Sequence, residues 1–348
     1  MSRPALRVGI AGYGVVGKRR QKFIDSHPRL AVVAMSDITF ESEGVDSDGR
    51  YRYKNYEGLF EQDLDVLFVS LPNNIAAIST VAGLEMGLHV FCEKPPGRLV
   101  EDIRKVIRTE RAHPHLKLKY GFNHRYHESV KKAKTLIDGG CYGKILNLRG
   151  VYGKSRVIPF TGGWRSERDV AGGGILLDQG IHMIDMIRHF AGDFDEIKSF
   201  ISSQYWGHDV EDNAFAMLRN QSGCIAMLHS TATQWRHKFR LEVTLESALI
   251  ELTGILSGSK TYGEEKLTFV TRDSDSTAGS FAEETTLYLD DNSWRDEVYE
   301  FADLILQDRK VENGSSEDAL KVMELVYGIY YADESWRKKW KIQNPNEG

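Results

Sequence analysis

Three glycines set between an apolar strand and a helix constrain this chain more than anything else in it. Leu6–Ala11 (LRVGIA) has the apolar run of a short buried strand. Gly12-Tyr13-Gly14-Val15-Val16-Gly17 follows it directly, before a helical stretch that extends to about Ser26. Each glycine answers a separate physical need. Gly12 permits the tight turn, Gly14 lets the backbone approach a pyrophosphate, and Gly17 lets the helix pack closely on the strand. The helix then presents its unpaired N–H groups and the positive end of its dipole to the phosphates, with Tyr13, Val15 and Val16 lining the turn. A second apolar run ends at Ser36-Asp37. Asp37 lies about 20 residues past the last glycine, where a carboxylate at a strand tip accepts hydrogen bonds from an adenosine ribose.

Beyond Asp37, strands and helices alternate. Residues 65–70, 88–92 and 116–122 read as buried strands, and residues 76–86 and 100–112 as helices. Such alternation builds a doubly wound parallel sheet, an α/β arrangement whose ligands sit at the carboxyl ends of the strands. Leu71, Pro72, Asn73, Glu93 and Lys94 all fall at such ends. With 348 residues the chain exceeds the usual size of one domain, so a dinucleotide-binding domain over residues 1–122 and a second domain over residues 123–348 are expected. In the second, a helix at 128–138 precedes short strand-like runs at 145–151, 213–218, 224–229, 240–245 and 267–270, with residues 272–280 as a surface loop. Two helices, at 294–307 and 316–331, close the chain.

Composition excludes some functions. The formal charge of −5 argues against a nucleic-acid partner, because binding a phosphate backbone needs a basic face. The first residues run straight into the first strand, too short and too glycine-interrupted for a secretion signal, and nothing suggests a membrane; a cytoplasmic location is expected. Cys92, Cys141 and Cys224 are odd in number and far apart, so neither a disulfide framework nor a zinc site is expected.

Residues 175–190 read as one helix. At α-helical spacing Asp178, His182, Asp185 and His189 form a narrow polar stripe, and apolar side chains cover most of the rest. Buried polar groups must be hydrogen-bonded or face a solvent-filled cleft, so the stripe is a candidate site, with Asp178 and His182 one turn apart. Gly180 inside the helix costs about 1 kcal/mol relative to alanine, which implies that something packs close there.

The ordered set of motifs resembles the glucose-fructose oxidoreductase/inositol dehydrogenase (Gfo/Idh/MocA) family. It comprises GxGxxG, Asp37, Pro72-Asn73, Glu93-Lys94-Pro95, Gly121-Phe122-Asn123-His124-Arg125 and Gly172-Gly173-Gly174-Ile175-Leu176-Leu177-Asp178-Gln179-Gly180-Ile181-His182. Many family members carry a histidine four residues past the proline of the Pro-Asn motif; here that position is Ala76. The resemblance implies an N-terminal Rossmann domain and a C-terminal α+β domain with a mostly antiparallel open sheet. It also implies association into dimers or tetramers through the exposed face of that sheet. NAD is the expected cofactor, held by Gly12, Tyr13, Gly14, Val15, Val16, Asp37, Leu71, Pro72, Asn73, Glu93, Lys94 and Asn123. The expected activity is hydride transfer between nicotinamide and a secondary alcohol or ketone of a sugar derivative. The family acts on cyclitols, free sugars, sugar phosphates and nucleotide sugars.

Removing a hydride from carbon requires a group to take the hydroxyl proton. A histidine, with an unperturbed pKa of about 6.5, suits that task near neutrality. His182 is therefore the candidate proton carrier, Lys94 the candidate donor to the reacting oxygen, and Asp178 the group that orients them. Within the family either the lysine or the histidine serves as carrier. A cis Lys94-Pro95 bond is one possibility at this strand end. Lys154, Arg156, Arg165 and Arg168 crowd the stretch before the three glycines, with Glu167 and Asp169 among them, and Trp164 offers a flat face to a sugar ring. Arg156, Trp164 and Arg165 are thus candidate contacts for an anionic sugar, with a nucleotide sugar first and an inositol or free sugar second. Three rival readings stay open: a metal enzyme using Asp178, His182 and Asp185, an NAD-using glycosidase, and a non-catalytic dinucleotide-sensing regulator. No metal is expected, because no second ligand cluster completes a shell.

Overall fold

The computed structural model describes residues 5–157, 163–257, 262–272 and 279–347. Its internal contacts divide the chain into two compact units. One comprises Met1–Phe122, Asp169–Ala171 and Trp294–Leu320; the other comprises Asn123–Arg168, Gly172–Ser293 and Lys321–Gly348.

The first unit is built on seven strands: β1 (Leu6–Ala11), β2 (Leu30–Ser36), β3 (Gly44–Val45), β4 (Tyr51–Tyr53), β5 (Val66–Val69), β6 (His89–Glu93) and β7 (Leu118–Gly121). They lie in the order β3-β4-β2-β1-β5-β6-β7, all parallel except β3. Helices α1 (Val15–Asp25), α2 (Asn73–Glu85) and α3 (Val100–Ala112) connect them. The strand order reverses beside β1, which neighbours both β2 and β5, so the carboxyl ends of these strands open onto a crevice suited to a dinucleotide. All four residues of β5 are fully buried, as expected of a strand covered on both faces.

The division at residue 122 assigns residues 294–320 to the second domain, but in the structure they belong to the first unit. The reason lies in helix α7 (Ser293–Leu306), whose Val298, Phe301 and Ala302 join the core formed by Phe68 and Phe91. The Phe301 ring meets those of Phe68 and Phe91 edge-on, with centroids 6.0 and 5.6 Å away. Burying one such side chain stabilises by roughly 1.5–3 kcal/mol, more than a surface helix gains from its own propensity.

The second unit contains eight strands: β8 (Ile145–Ser155), β9 (Glu196–Ser202), β10 (Asn213–Arg219), β11 (Ile225–Gln234), β12 (Lys238–Leu245), β13 (Ala248–Thr253), β14 (Glu265–Arg272) and β15 (Phe281–Tyr288). Their order is β15-β14-β13-β12-β8-β11-β10-β9, antiparallel throughout except for the β8–β11 pair. The expected open, mostly antiparallel sheet is therefore present. Most of the loop expected at 272–280 lies outside the described residues, and Arg272 ends β14. Alternation in β10 and β12 buries Ala214, Ala216, Leu218, Phe239, Leu241 and Val243 on one face. Helices α4 (Glu128–Asp138), the single turn α5 (Arg168–Ala171), α6 (Ile181–Ala191), α8 (Ser316–Ala332) and α9 (Glu334–Trp340) are the other α-helices among the described residues. The opposite sheet face leaves Phe200, Phe215 and Met217 exposed. No helix among the described residues is long and apolar enough to cross a membrane.

Candidate functional site

In the first unit the glycine turn is shaped by close approach. Gly12 has φ +89°, and a Cβ there would stand 2.4 Å from the Ser70 carbonyl oxygen. A Cβ at Gly17 would stand 2.1 Å from the Gly12 oxygen. Both glycines are thus required by the protein itself. Gly14 differs, because a Cβ there would meet no protein atom within 4 Å. The space it leaves is open, and it adjoins the start of α1, where no side chain caps the first N–H groups. An open, uncapped helix start beside a glycine fits a diphosphate. Val15 is exposed at this turn, and the Tyr13 hydroxyl is hydrogen-bonded to the Gln21 side chain.

Asp37 follows the end of β2. One of its oxygens accepts hydrogen bonds from the Thr39 backbone N–H at 2.9 Å and the Thr39 hydroxyl at 2.6 Å, which fixes the carboxylate while the other oxygen keeps its acceptor capacity for a ribose. Arg52, on the neighbouring β4, pairs with Asp46 at 3.8 Å, and Arg50 pairs with Asp25 at 3.0 Å. Arg50 and Arg52, two of the basic groups near this strand end, are thus engaged by acids. Leu71 and Pro72 lead into α2, whose buried Asn73 donates to the Ala171 carbonyl at 2.8 Å. Ala76 is buried in α2.

Glu93 and Lys94 end β6, and the Lys94-Pro95 bond is cis. Glu93 accepts from Arg20 at 2.6 Å. Arg20, on α1, is fully buried and also donates to Glu297 at 2.7 Å. Sequence reasoning misses this anchor, because Arg20 sits in a run of basic residues and its second partner is 277 positions away.

In the second unit the three glycines have a steric cause. Gly172 has φ +83°, a Cβ on Gly173 would fall 2.2 Å from the Tyr330 hydroxyl, and one on Gly174 would fall 2.1 Å from the Glu211 carbonyl oxygen. The buried Glu211 carboxylate accepts from the Gly174 and Leu176 N–H groups at 2.7 and 2.9 Å and from the Tyr330 hydroxyl at 2.7 Å. These contacts hold the start of the next helix. That helix is not α-helical throughout: Leu176–Gly180 forms a π-turn before α6 begins at Ile181. Gly180 lies against Ser230, where a Cβ would approach the hydroxyl to 2.6 Å, so the close packing expected at this glycine is found.

The π-turn interrupts the expected four-residue stripe. Asp178 lies within the turn, where its carboxylate faces Arg165 at 3.5 Å. Asp185 is fully buried and takes a two-pronged hydrogen bond from Arg125, at 2.8 and 2.6 Å, which makes it a structural partner. The His182 ring, nearly buried, stacks on His124 with centroids 3.7 Å apart and planes 12° from parallel. His124 in turn contacts the Tyr152 hydroxyl at 3.1 Å and Asn123 Oδ1 at 3.2 Å. Asn123, expected on the cofactor, thus uses its oxygen on His124 and its amide nitrogen on Ser293.

Two buried tyrosines and a half-buried lysine act on Asp178, whose side chain is 21% exposed. Tyr152 and Tyr262 are both held above the usual tyrosine range by burial, with the Asp178 charge adding to it. Tyr262 donates to the Gln179 side chain at 3.0 Å. Lys154 is pushed below the usual lysine range by burial, with Arg165 acting in the same direction and Asp178 opposing.

The four cations before the glycines do not form one cluster. The Arg168 guanidinium stacks on Trp340 at 4.6 Å, and its backbone N–H donates to Asp209. Arg156 stacks on Trp235 at 3.6 Å. Arg165 covers Trp164 at 4.3 Å. Lys154 and Arg165 act on Asp178. Cation–π packing on indoles, rather than a shared anion, accounts for the other two. Among the described residues no group of three or more His, Cys, Asp or Glu side chains is arranged to hold a metal ion.

Comparison with known proteins agrees with this fold. Residues 6–122 match the model of the oxidoreductase family with an NAD-binding Rossmann fold, and residues 130–251 match the GFO/IDH/MocA C-terminal domain. Levoglucosan dehydrogenase of Pseudarthrobacter phenanthrenivorans is 26% identical over 273 residues, which are 65% of this chain and 67% of that protein. The 1,5-anhydro-D-fructose reductase of Ensifer adhaerens is 32% identical over 178 residues, 50% of this chain and 52% of the reductase. The alignment with this second relative therefore spans about half its length. A solved levoglucosan dehydrogenase in complex with NADH superposes with a TM-score of 0.82 at 20% identity, covering 95% of this chain and 98% of that one. At that identity the likeness speaks for the fold. The two matched models together cover most of the chain, and it belongs to the Gfo/Idh/MocA family of oxidoreductases, with an NAD-binding Rossmann domain at residues 6–122.

Proposed function

We propose that this protein is an NAD-dependent dehydrogenase that oxidises a secondary alcohol of a sugar or cyclitol, or reduces the matching ketone. The observation that carries the reading is the nearly buried His182 imidazole, on a helix started by the π-turn of Asp178, in a chain whose other unit is an NAD-binding Rossmann domain. The nicotinamide, when bound, exchanges the hydride with the substrate carbon. His182 takes the hydroxyl proton in oxidation and returns it in reduction. Lys94 hydrogen-bonds the reacting oxygen and offsets its developing negative charge. Asp178, which faces Arg165 at 3.5 Å, holds a substrate hydroxyl. The names of the similar proteins, which refer to levoglucosan and 1,5-anhydro-D-fructose, support a sugar as the substrate class. Mass spectrometry of the purified protein for retained ligand, followed by an NADH-coupled screen of sugars and cyclitols, tests the reading. No turnover of any polyol in either direction would remove it.

NAD should be preferred to NADP by about tenfold or more in kcat/KM, a difference of about 1.4 kcal/mol. The Asp37 carboxylate repels a 2′-phosphate, and Arg50 and Arg52 are held by Asp25 and Asp46. Comparable kcat/KM with the two cofactors would contradict the role given to Asp37.

A second reading, an anionic sugar such as a nucleotide sugar, is supported by the two cations, Lys154 and Arg165, that act on Asp178. Trp164 and Arg156 remain candidate contacts for it. On this reading, kcat/KM for a phosphorylated or nucleotide-linked sugar exceeds that of its neutral parent at low salt, and the gap closes as salt rises. Preference for the neutral sugar at every salt concentration rejects it. The exposed Phe200, Phe215 and Met217 on β9 and β10 are the surface through which we expect the chain to form a homo-oligomer.

A further inference from the structure

We propose that His124 is a positioning residue for this reaction: a neutral imidazole, locked with its proton on Nδ1, that fixes the ring plane of His182 and lets that ring carry the extra proton. The proposal rests on the dehydrogenase reading for its kinetic part and on local geometry for the rest.

The lock follows from a chain of hydrogen bonds with one consistent direction. The Asp291 carboxylate only accepts, so the Ser293 hydroxyl, 2.6 Å away, donates to it. Ser293 Oγ can then accept from Asn123 Nδ2 at 3.1 Å, which turns Asn123 Oδ1 toward His124. An amide oxygen only accepts, so His124 Nδ1, at 3.2 Å, carries a proton. In a neutral ring the other nitrogen is then an acceptor, and it faces the Tyr152 hydroxyl at 3.1 Å. Burial keeps that phenol protonated, so it can donate. For a neutral ring, this tautomer satisfies every member of the series Asp291, Ser293, Asn123, His124, Tyr152.

The neutral state matters because His124 and His182 are parallel and 3.7 Å apart. Two imidazolium rings at that separation would oppose each other, whereas a neutral aromatic face attracts a cation. Among the other groups packed around His124 are Phe239, Tyr152 and His127, whose ring lies edge-on at 5.5 Å and is paired with Glu265 at 2.7 Å. His182 can therefore be protonated during turnover without facing a second cation, while the stack holds its plane.

The test combines a substrate-free and a kinetic measurement on the full-length protein. Nitrogen-15 spectra of histidine side chains near pH 7 should show His124 as the Nδ1–H tautomer in the wild type. An Nε2–H tautomer or an imidazolium overturns the proposal whatever the substrate proves to be. His124→Ala should lower kcat about 10- to 100-fold, as small misplacements of a reacting group do, with KM for NAD unchanged. His124→Phe, which keeps the flat ring against His182, should recover most of that loss and keep the acidic limb of the pH–rate profile. Equal kcat in His124→Ala and wild type overturns the proposal. So does a His124→Phe protein that is folded by circular dichroism yet as impaired as His124→Ala. If no sugar is turned over, the dehydrogenase reading fails while the tautomer result still decides the lock.

Discussion

Lys94→Ala and His182→Asn should each lower turnover by roughly 10²–10⁴, the range for loss of a positioned acid–base group, and should leave NADH binding close to wild type. The expectation follows from what each side chain is assigned to do. His182 carries the proton on a ring that is nearly buried and stacked on His124. Asparagine keeps a polar side chain of similar reach but cannot exchange a proton near neutrality. Lys94 stands at the carboxyl end of β6, the edge of the sheet where a doubly wound fold places its ligands, next to a glutamate tied down by Arg20. Its charge stabilises a developing alkoxide more than the neutral alcohol, so its loss should appear in kcat and kcat/KM alike. Steady-state kinetics in both directions and fluorescence titration with NADH supply the numbers. Near-wild-type turnover in both variants would remove the mechanism, and a change confined to KM would make them binding residues.

What could be read in the sequence was what local spacing dictates. The glycine fingerprint is legible because its spacing sits between a strand and a helix and Gly17 is sterically required by Gly12 five residues earlier, although Gly12 is required by distant Ser70; Gly180 is legible because a helix-interior glycine is costly unless something packs against it. Asp37 is legible because strand, helix and strand have nearly fixed lengths. The failures share a different cause. The π-turn at Leu176–Gly180 is stabilised by Glu211 and Ser230, more than 30 residues downstream, so α-helical periodicity misplaces Asp178 and Asp185 relative to each other. The four cations before the glycines read as one patch, yet two of them find indole rings at Trp235 and Trp340 that no spacing rule connects to them. Helix α7 looks like the end of the second domain because sequence order suggests it, whereas the phenylalanines of β5 and β6 draw it into the first. His124 carried no signal of its own; only the fold shows that its ring lies on His182.

Replacing Arg20 by alanine should cost about 3–5 kcal/mol of stability, whereas Glu297→Gln should cost little and should stabilise the protein above pH 7. Arg20 is fully buried between the Phe91 and Trp294 rings, 4.4 and 4.3 Å from their centroids, and bonds both Glu93 and Glu297. Removing the guanidinium leaves two carboxylates facing one another in the core without a cation, the costly way to break a buried pair. With Arg20 present, its charge is shared by two acids, and the unfavourable share falls on Glu297, although Lys119 also favours its charged form. Burial, opposed by Arg20 and reinforced by Glu93, raises its pKa to about 7. Because this pKa is raised above the unfolded value, the folded protein keeps a proton that the unfolded chain releases between about pH 4.5 and 7. The stabilisation from that proton is complete below this window and is lost as pH rises through about 7, by at most about 1.4 kcal/mol per pH unit. Glutamine at 297 retains an acceptor for Arg20 and removes the titration, so the stability of Glu297→Gln should be flatter with pH and should exceed wild type at pH 8. Thermal or urea unfolding of the three proteins at pH 5, 6.5 and 8 measures this. Parallel pH curves for wild type and Glu297→Gln would mean that Glu297 is ionised in the folded protein across the whole range. Since Glu93 precedes Lys94, Arg20→Ala should also lower turnover at temperatures where it remains folded, while Glu297→Gln should not.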